Sequence, residues 1–275
     1  MVVAMHSPMP IDETQGNGIF LASLSYFTTP CIGLLFMISG ALLLPVSDKY
    51  DAISFLKKRL SKVLGPTLFW TAFYILFNVK TDSGGVIYVK TVLSIPFSAQ
   101  GHGILWFMYT LIGLYLLAPI LSCWLKRTSK KELQFYLGLW GITLCYPLLE
   151  SCLDIEQSAT GILYYFTGYA GYFLLGYYMK NYSESIKFKY IIPGFCIAVA
   201  APVVVKLLRW EVDFYRVFWY LSVFVVIMCI FWWKIFEKCT SKIHISEKLT
   251  RLIILLSNLS FGIYLSHIFI MRNIL

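Results

Sequence analysis

The stretch YFTTPCIGLLFMISGALLLPV, residues 26–46, is followed after a short polar link by FLKKRLSK, residues 55–62. An apolar run of about 20 residues is long enough to cross roughly 30 Å of hydrocarbon as a helix. The basic cluster directly after it marks the face of the bilayer on which that helix ends. Seven further runs of comparable length follow, at 63–79, 104–125, 132–149, 161–179, 190–208, 217–233 and 252–271. Periodicity does not separate helix from strand here, because a helix among lipid and other helices can be apolar nearly all round. Segment length and loop chemistry favour helices. The expected fold is all-α: a polytopic transmembrane helix bundle of about eight full spans plus a first span cut short at Met1.

Composition agrees with that reading. The 275-residue chain is 59% hydrophobic and 13% charged, with a mean hydropathy of +0.72, more apolar and less charged than an ordinary soluble domain. The basic residues alternate between gaps. Lys49, Lys57, Lys58, Arg59 and Lys62 fall in the first, Lys126, Arg127, Lys130 and Lys131 in the third, Lys180, Lys187 and Lys189 in the fifth, and Lys234, Lys238, Lys242, Lys248 and Arg251 in the seventh. The intervening gaps hold only Lys80, Lys90, Lys206, Arg209 and Arg216, and the gap at 150–160 is acidic, with Glu150, Asp154 and Glu156. This alternation places 47–62 in the cytoplasm and 150–160 outside.

The formal charge of +9 therefore reports topology rather than a nucleic-acid partner, since the basic residues form no stripe with stacking aromatics. The seven cysteines include no C-x-x-C pair and no metal-ligand spacing, so they read as small packing residues and no metal is expected. No internal repeat or soluble segment interrupts the apolar runs, and residues 1–275 read as one integral membrane domain. Met1 to His6 is too short to cross a bilayer, so the chain is expected to lack part of its first span. Met1 to Met5 is also too short for the apolar core of a cleavable signal peptide, so none is expected there, and no eukaryotic targeting motif is recognisable.

Four stretches carry a family likeness. They are Phe36-Met37-Ile38-Ser39-Gly40-Ala41 with the basic run Lys57-Lys58-Arg59-Leu60-Ser61-Lys62 leading to Pro66; Val2-Val3-Ala4-Met5-His6; Leu105-Trp106-Phe107-Met108-Tyr109 running on to Ala118-Pro119; and Leu259-Ser260-Phe261-Gly262-Ile263-Tyr264-Leu265-Ser266-His267. In order and over nearly the whole chain, they resemble the membrane-bound acyltransferase family called acyltransferase 3. The resemblance implies a helical core that takes an acyl group, usually acetyl, from acyl-CoA on the cytoplasmic side. It delivers that group to a hydroxyl of a glycan or similar acceptor. It also extends to relatives read as polysaccharide exporters, which leaves a non-catalytic exporter as the alternative. The family's first helix usually carries an Arg well before its His, at a place that would precede Met1, and a further span after the last stretch. On this likeness the chain is expected to be incomplete at both ends and to sit in a bacterial inner membrane.

Acyl transfer from a thioester to a hydroxyl needs a base for the hydroxyl proton, and histidine titrates in the useful range. His6 falls where the first span meets the outer loop; alone it reads as an interfacial histidine or a base, and the resemblance favours the base. His102 and Trp106, at another outer boundary, are candidates for the acceptor site. His267 lies within an apolar span, where an ionisable group is costly and marks either function or a hydrogen-bonded helix contact. Arg59 and Lys62, three apart, share a helix face and read as inside-positive anchors or as a clamp for the phosphates of CoA. Tyr164, Tyr165, Tyr169 and Tyr172 could line a sugar cavity, though an interfacial belt and helix packing are commoner uses.

Overall fold

The computed structural model describes residues 26–47, 51–81, 89–97, 105–153, 161–210, 212–240 and 246–273, and among them there is no strand. A helical turn at 26–28 leads into α1 (Pro30–Leu43). There follow α2 (Ala52–Thr81), α3 (Val89–Ser94), α4 (Trp106–Leu125), α5 (Lys130–Thr143), α6 (Tyr146–Leu153), α7 (Ala170–Tyr182), α8 (Phe188–Leu207), α9 (Phe214–Val217), α10 (Val223–Thr240) and α11 (Glu247–Asn273). His6 and His102 lie outside the described residues.

Among the described residues, four helical stretches are long and apolar enough to cross a membrane: Tyr26–Leu43, Trp106–Leu125, Phe188–Leu207 and Glu247–Met271. The expected count of about eight full spans is not confirmed among these residues, and the remaining runs show why. The run at 63–79 is the apolar half of the continuous α2, whose first turns are basic. The run at 132–149 breaks before Pro147, which has no N–H to donate to a helix, leaving α5 at 14 residues or about 21 Å. The run at 161–179 becomes helical for good only at Ala170; before it come a 3-10 turn at Tyr164–Phe166 and Gly168 at φ 91, a left-handed backbone that favours glycine. The run at 217–233 is interrupted after Val217 and resumes at Val223.

The chain gathers into two compact units, one of Met1–Leu44 with Trp124–Ile243 and the other of Pro45–Cys123 with His244–Leu275. In the first, α1 and α7 make the most extensive helix contact. A methyl group added at Gly40 would overlap the main chain of Phe173, and one at Gly176 would overlap the main chain of Met37. The Ser-Gly step of α1 is thus a point of backbone-to-backbone approach, the contact small residues permit where lipid gives helices no hydrophobic reason to associate. Polar bonds tie these helices to each other and to their neighbours. Lys180 donates to the Ala41 carbonyl at 2.8 Å, near the end of α1 where helix carbonyls lack intrahelical partners. The Tyr172 hydroxyl, fully buried, donates to the Tyr220 carbonyl at 2.5 Å, and the Cys229 thiol to the Pro30 carbonyl at 3.4 Å. Tyr26 reaches across to the Ala198 carbonyl of α8 at 2.8 Å.

Ion pairs hold the charged residues of this unit in two places. Arg216 pairs with Glu150 at 2.5 Å, so a basic residue of the 206–216 gap meets an acidic one of the 150–160 gap. Lys234 of α10 donates to Glu237 at 2.7 Å and to the Ser183 carbonyl at 3.2 Å, while the Ser183 hydroxyl donates to Glu237 at 2.5 Å. Partial burial pushes the Glu237 carboxyl up, but these two donors outweigh it and hold it below the usual carboxylate range.

Gly40→Ala and Gly176→Ala should each lower stability by about 1–3 kcal/mol, because the methyl meets backbone that no rotamer change can move. Gly65→Ala and Gly113→Ala, where an added methyl meets nothing within 4 Å, should not; melting in detergent separates the two pairs. The Glu237 contribution, with its folded pKa lowered, is complete above the ordinary carboxylate value and is lost as pH falls through the lowered one. The melting-temperature difference between wild type and Glu237→Gln should therefore be present at neutral pH and shrink in acid.

Candidate functional site

The second unit holds the residues with chemistry to offer. α2 begins where the Asp51 carboxylate accepts the Ser54 backbone N–H at 3.2 Å, an N-cap contact that lets the helix start ahead of the basic run. Hydrogen bonds from Ser54 hold that carboxyl below its usual range. Lys57, Lys58, Arg59 and Lys62 therefore stand on the first turns of a helix rather than in a loop, and all four are exposed. The Arg59 guanidinium lies 5.9 Å from the centre of the Phe55 ring one turn earlier, and within electrostatic reach of the Tyr115 hydroxyl on α4. Phe55 is itself buried, so it is a fixed platform for the cation.

Further along α2 the character changes. Thr67, Thr71 and Tyr74 repeat at i, i+4 and i+7, the spacing of one helix face, and all three are buried. The two threonine hydroxyls donate to carbonyls one turn back, Thr67 to Val63 at 2.7 Å and Thr71 to Thr67 at 2.8 Å. Tyr109 of α4 donates to the Ile95 carbonyl at 2.7 Å, and its oxygen lies 3.0 Å from the Thr71 hydroxyl, tying α2, α4 and the segment after α3 together. Tyr74 donates to the Leu265 carbonyl of α11 at 2.7 Å. Its neighbour Phe73 meets Phe269 edge to face, with centroids 5.1 Å apart.

His267 sits in that part of α11 and is 3% exposed. Its Nδ1 is 2.5 Å from the Tyr264 carbonyl oxygen. A carbonyl can only accept, so Nδ1 carries the proton, and in the neutral ring Nε2 carries the lone pair. Phe107 of α4 meets the Tyr264 ring edge to face at 5.6 Å, and Tyr264 is 5.6 Å from the imidazole. Trp106, half-buried at the start of α4, is 6.4 Å from Phe107.

Trp106 and His267 thus belong to one aromatic chain through Phe107 and Tyr264. Arg59 and Lys62 stand apart from it: Tyr74 lies ~15 residues, or about 22 Å, beyond Arg59 along α2. Among the described residues no group of three or more His, Cys, Asp or Glu could hold a metal ion. The tyrosines expected around 164–172 belong to the other unit. Tyr164 and Tyr165 are exposed there, and the Tyr172 hydroxyl is committed to a main-chain carbonyl, which is a packing role.

A family model described as an acyltransferase domain, acyltransferase 3, matches residues 1–274. The chain belongs to the acyltransferase 3 family. The curated proteins and the solved structures contain no match to it. With its apolar helices, this membership makes the chain an integral membrane protein. The family assignment also gives the two features of α2 a shared context, an exposed basic start and a buried polar face on one helix.

Thr67, Thr71 and Tyr74 do not figure among the candidates chosen from sequence, although their spacing within the apolar run 63–79 is a readable signal. Tyr109→Phe should lower stability by about 0.5–2 kcal/mol, the range of interhelical hydrogen bonds in membranes. Hydrogen exchange should rise first around Ile95, whose carbonyl loses its donor. An unchanged exchange rate there would mean that Tyr109 does not hold that segment.

Proposed function

We propose that the protein is a membrane O-acyltransferase that moves an acyl group, acetyl in the simplest case, from acyl-CoA to a hydroxyl of a cell-envelope or exported glycan, in a bacterial inner membrane. The observation that carries this reading is the division of labour along α2. Exposed Lys57, Lys58, Arg59 and Lys62 at one end give way to buried Thr71 and Tyr74 further along, the latter donating to the Leu265 carbonyl of the α11 turn that bears His267. A donor with charged phosphates and an uncharged thioester has those two needs. Guanidinium and ammonium groups suit phosphate oxygens, while the reacting carbon needs an environment that excludes water.

The reaction assigns one role to each group. A base removes the proton of the acceptor hydroxyl, and the oxygen attacks the thioester carbonyl carbon. The tetrahedral intermediate collapses with loss of the thiolate, which takes up a proton and leaves as free CoA. His6 is the base in this reading, resting on its match to the family's first-helix histidine. Arg59 and Lys62 hold the donor's phosphates, and His102, Trp106 and His267 contribute to the acceptor side.

Acyl-CoA turnover by the purified protein in detergent, with a soluble hydroxyl acceptor, tests this. Arg59→Ala and Lys62→Ala should each raise the KM for acyl-CoA about tenfold, as the loss of a charge-assisted hydrogen bond would. His6→Ala should remove most of kcat at unchanged melting temperature. Turnover indifferent to His6 and to both basic residues would sink the assignment.

A further inference from the structure

The Tyr74 hydroxyl does more than bridge two helices. It donates to the Leu265 carbonyl at 2.7 Å and lies 3.4 Å from the Phe269 backbone N–H, which donates to it. Leu265 C=O and Phe269 N–H are residues i and i+4 of α11, the two groups that close one turn of an α-helix. One side chain from α2 therefore engages both backbone groups of a single turn in α11. His267 lies at the middle of that turn. Its Nδ1 proton goes to the Tyr264 carbonyl, one residue before Leu265, so the imidazole takes its orientation from the same stretch of backbone that Tyr74 grips. A hydroxyl seated on a helix ladder is one of the few causes able to bend or shift a helix locally.

We propose that Tyr74 is a positioning residue for His267, its hydroxyl fixing the turn at 265–269 and hence where the His267 ring points. The consequence for catalysis rests on the reading above, in which His267 serves the acceptor side. Tyr74 touches no reacting atom and acts through α11. Since Arg59 and Lys62 stand on the same helix as Tyr74, α2 mechanically joins the donor-phosphate end to the His267 turn. Phe73 provides the internal control. It packs on Phe269 and so contributes to the same helix pair, but it offers no polar group to the backbone.

The test uses the full chain in detergent, with Tyr74→Phe, Phe73→Leu and His267→Gln compared with wild type. Carbethoxylation of His267 by diethyl pyrocarbonate is followed by peptide mass spectrometry and normalised to the other histidines. Tyr74→Phe should raise the His267 rate about fivefold, the population shift that one average hydrogen bond controls. It should also lower kcat for acyl transfer while leaving the KM for acyl-CoA unchanged. Phe73→Leu should lower the melting temperature without the selective change at His267. Equal His267 reactivity in wild type and Tyr74→Phe would overturn the proposal, as would an equal rise in Phe73→Leu. Full acyl transfer by His267→Gln, with the reactivity change in Tyr74→Phe still present, would remove His267 from the acceptor side and leave the positioning claim standing.

Discussion

Hydrocarbon offers a peptide group no hydrogen-bond partner, and every main-chain polar group in a membrane span must be satisfied by the protein itself. Helices meet that demand within themselves, but each carbonyl keeps a second lone pair that another helix can use. This chain uses it repeatedly with tyrosine. Tyr26 donates to Ala198 and Tyr74 to Leu265, both in other helices, while Tyr109 donates to Ile95 and Tyr172 to Tyr220, both in turns. A phenol suits the task because its ring fills apolar space while its single proton must find an acceptor when buried. The bond is modest in free energy, yet it is directional, which dispersion between Leu and Phe surfaces is not. Helix positions within each unit depend on these few contacts and on the glycine crossing of α1 and α7.

The same constraint explains which parts of the fold can be read from the sequence. Apolar length and the alternation of basic residues suffice for an all-helical membrane protein, because both follow from the bilayer. Arg216 departs from the charge pattern, and in the fold it is paired with Glu150 of the acidic 150–160 gap. Span boundaries are less legible. Hydropathy cannot tell that 161–169 forms turns, since the residues that decide it are Gly168 at positive φ and the Trp140 indole, which donates to the Gly168 carbonyl at 2.9 Å. Nor can it tell that the basic run belongs to α2, because Asp51 as N-cap moves the helix start ahead of the charges.

Legibility of the candidate site divides in the same way. His267 stands out in sequence because an ionisable group in an apolar run is costly, and Arg59 with Lys62 because their spacing gives a shared face. Tyr74 does not, since nothing near position 74 announces that its partner is Leu265. Such partners become visible only when the chain is folded. The half-signal that was available, Thr67, Thr71 and Tyr74 at helical spacing, shows that small polar groups in an apolar run merit the attention usually given to charges. A threonine there can satisfy itself on the carbonyl one turn back, as Thr67 and Thr71 do, so its presence alone does not distinguish a site from a tolerated substitution.

Charge has to stay at one end of this arrangement and neutrality at the other. An arginine costs several kcal/mol at the centre of a bilayer and little at its surface, and Arg59 sits at the exposed start of α2 with its cation over the Phe55 ring. His267 can be buried because its neutral tautomer is defined by the Tyr264 carbonyl, and an uncharged imidazole escapes most of the penalty that a buried cation meets. On the proposed reading the donor must satisfy both ends together, phosphates at the basic rim and thioester in the dry interior. A single continuous helix then has an advantage over two separate ones. It fixes the distance between the group that recognises charge and the group that sets the imidazole, so that binding at one end is registered in position at the other.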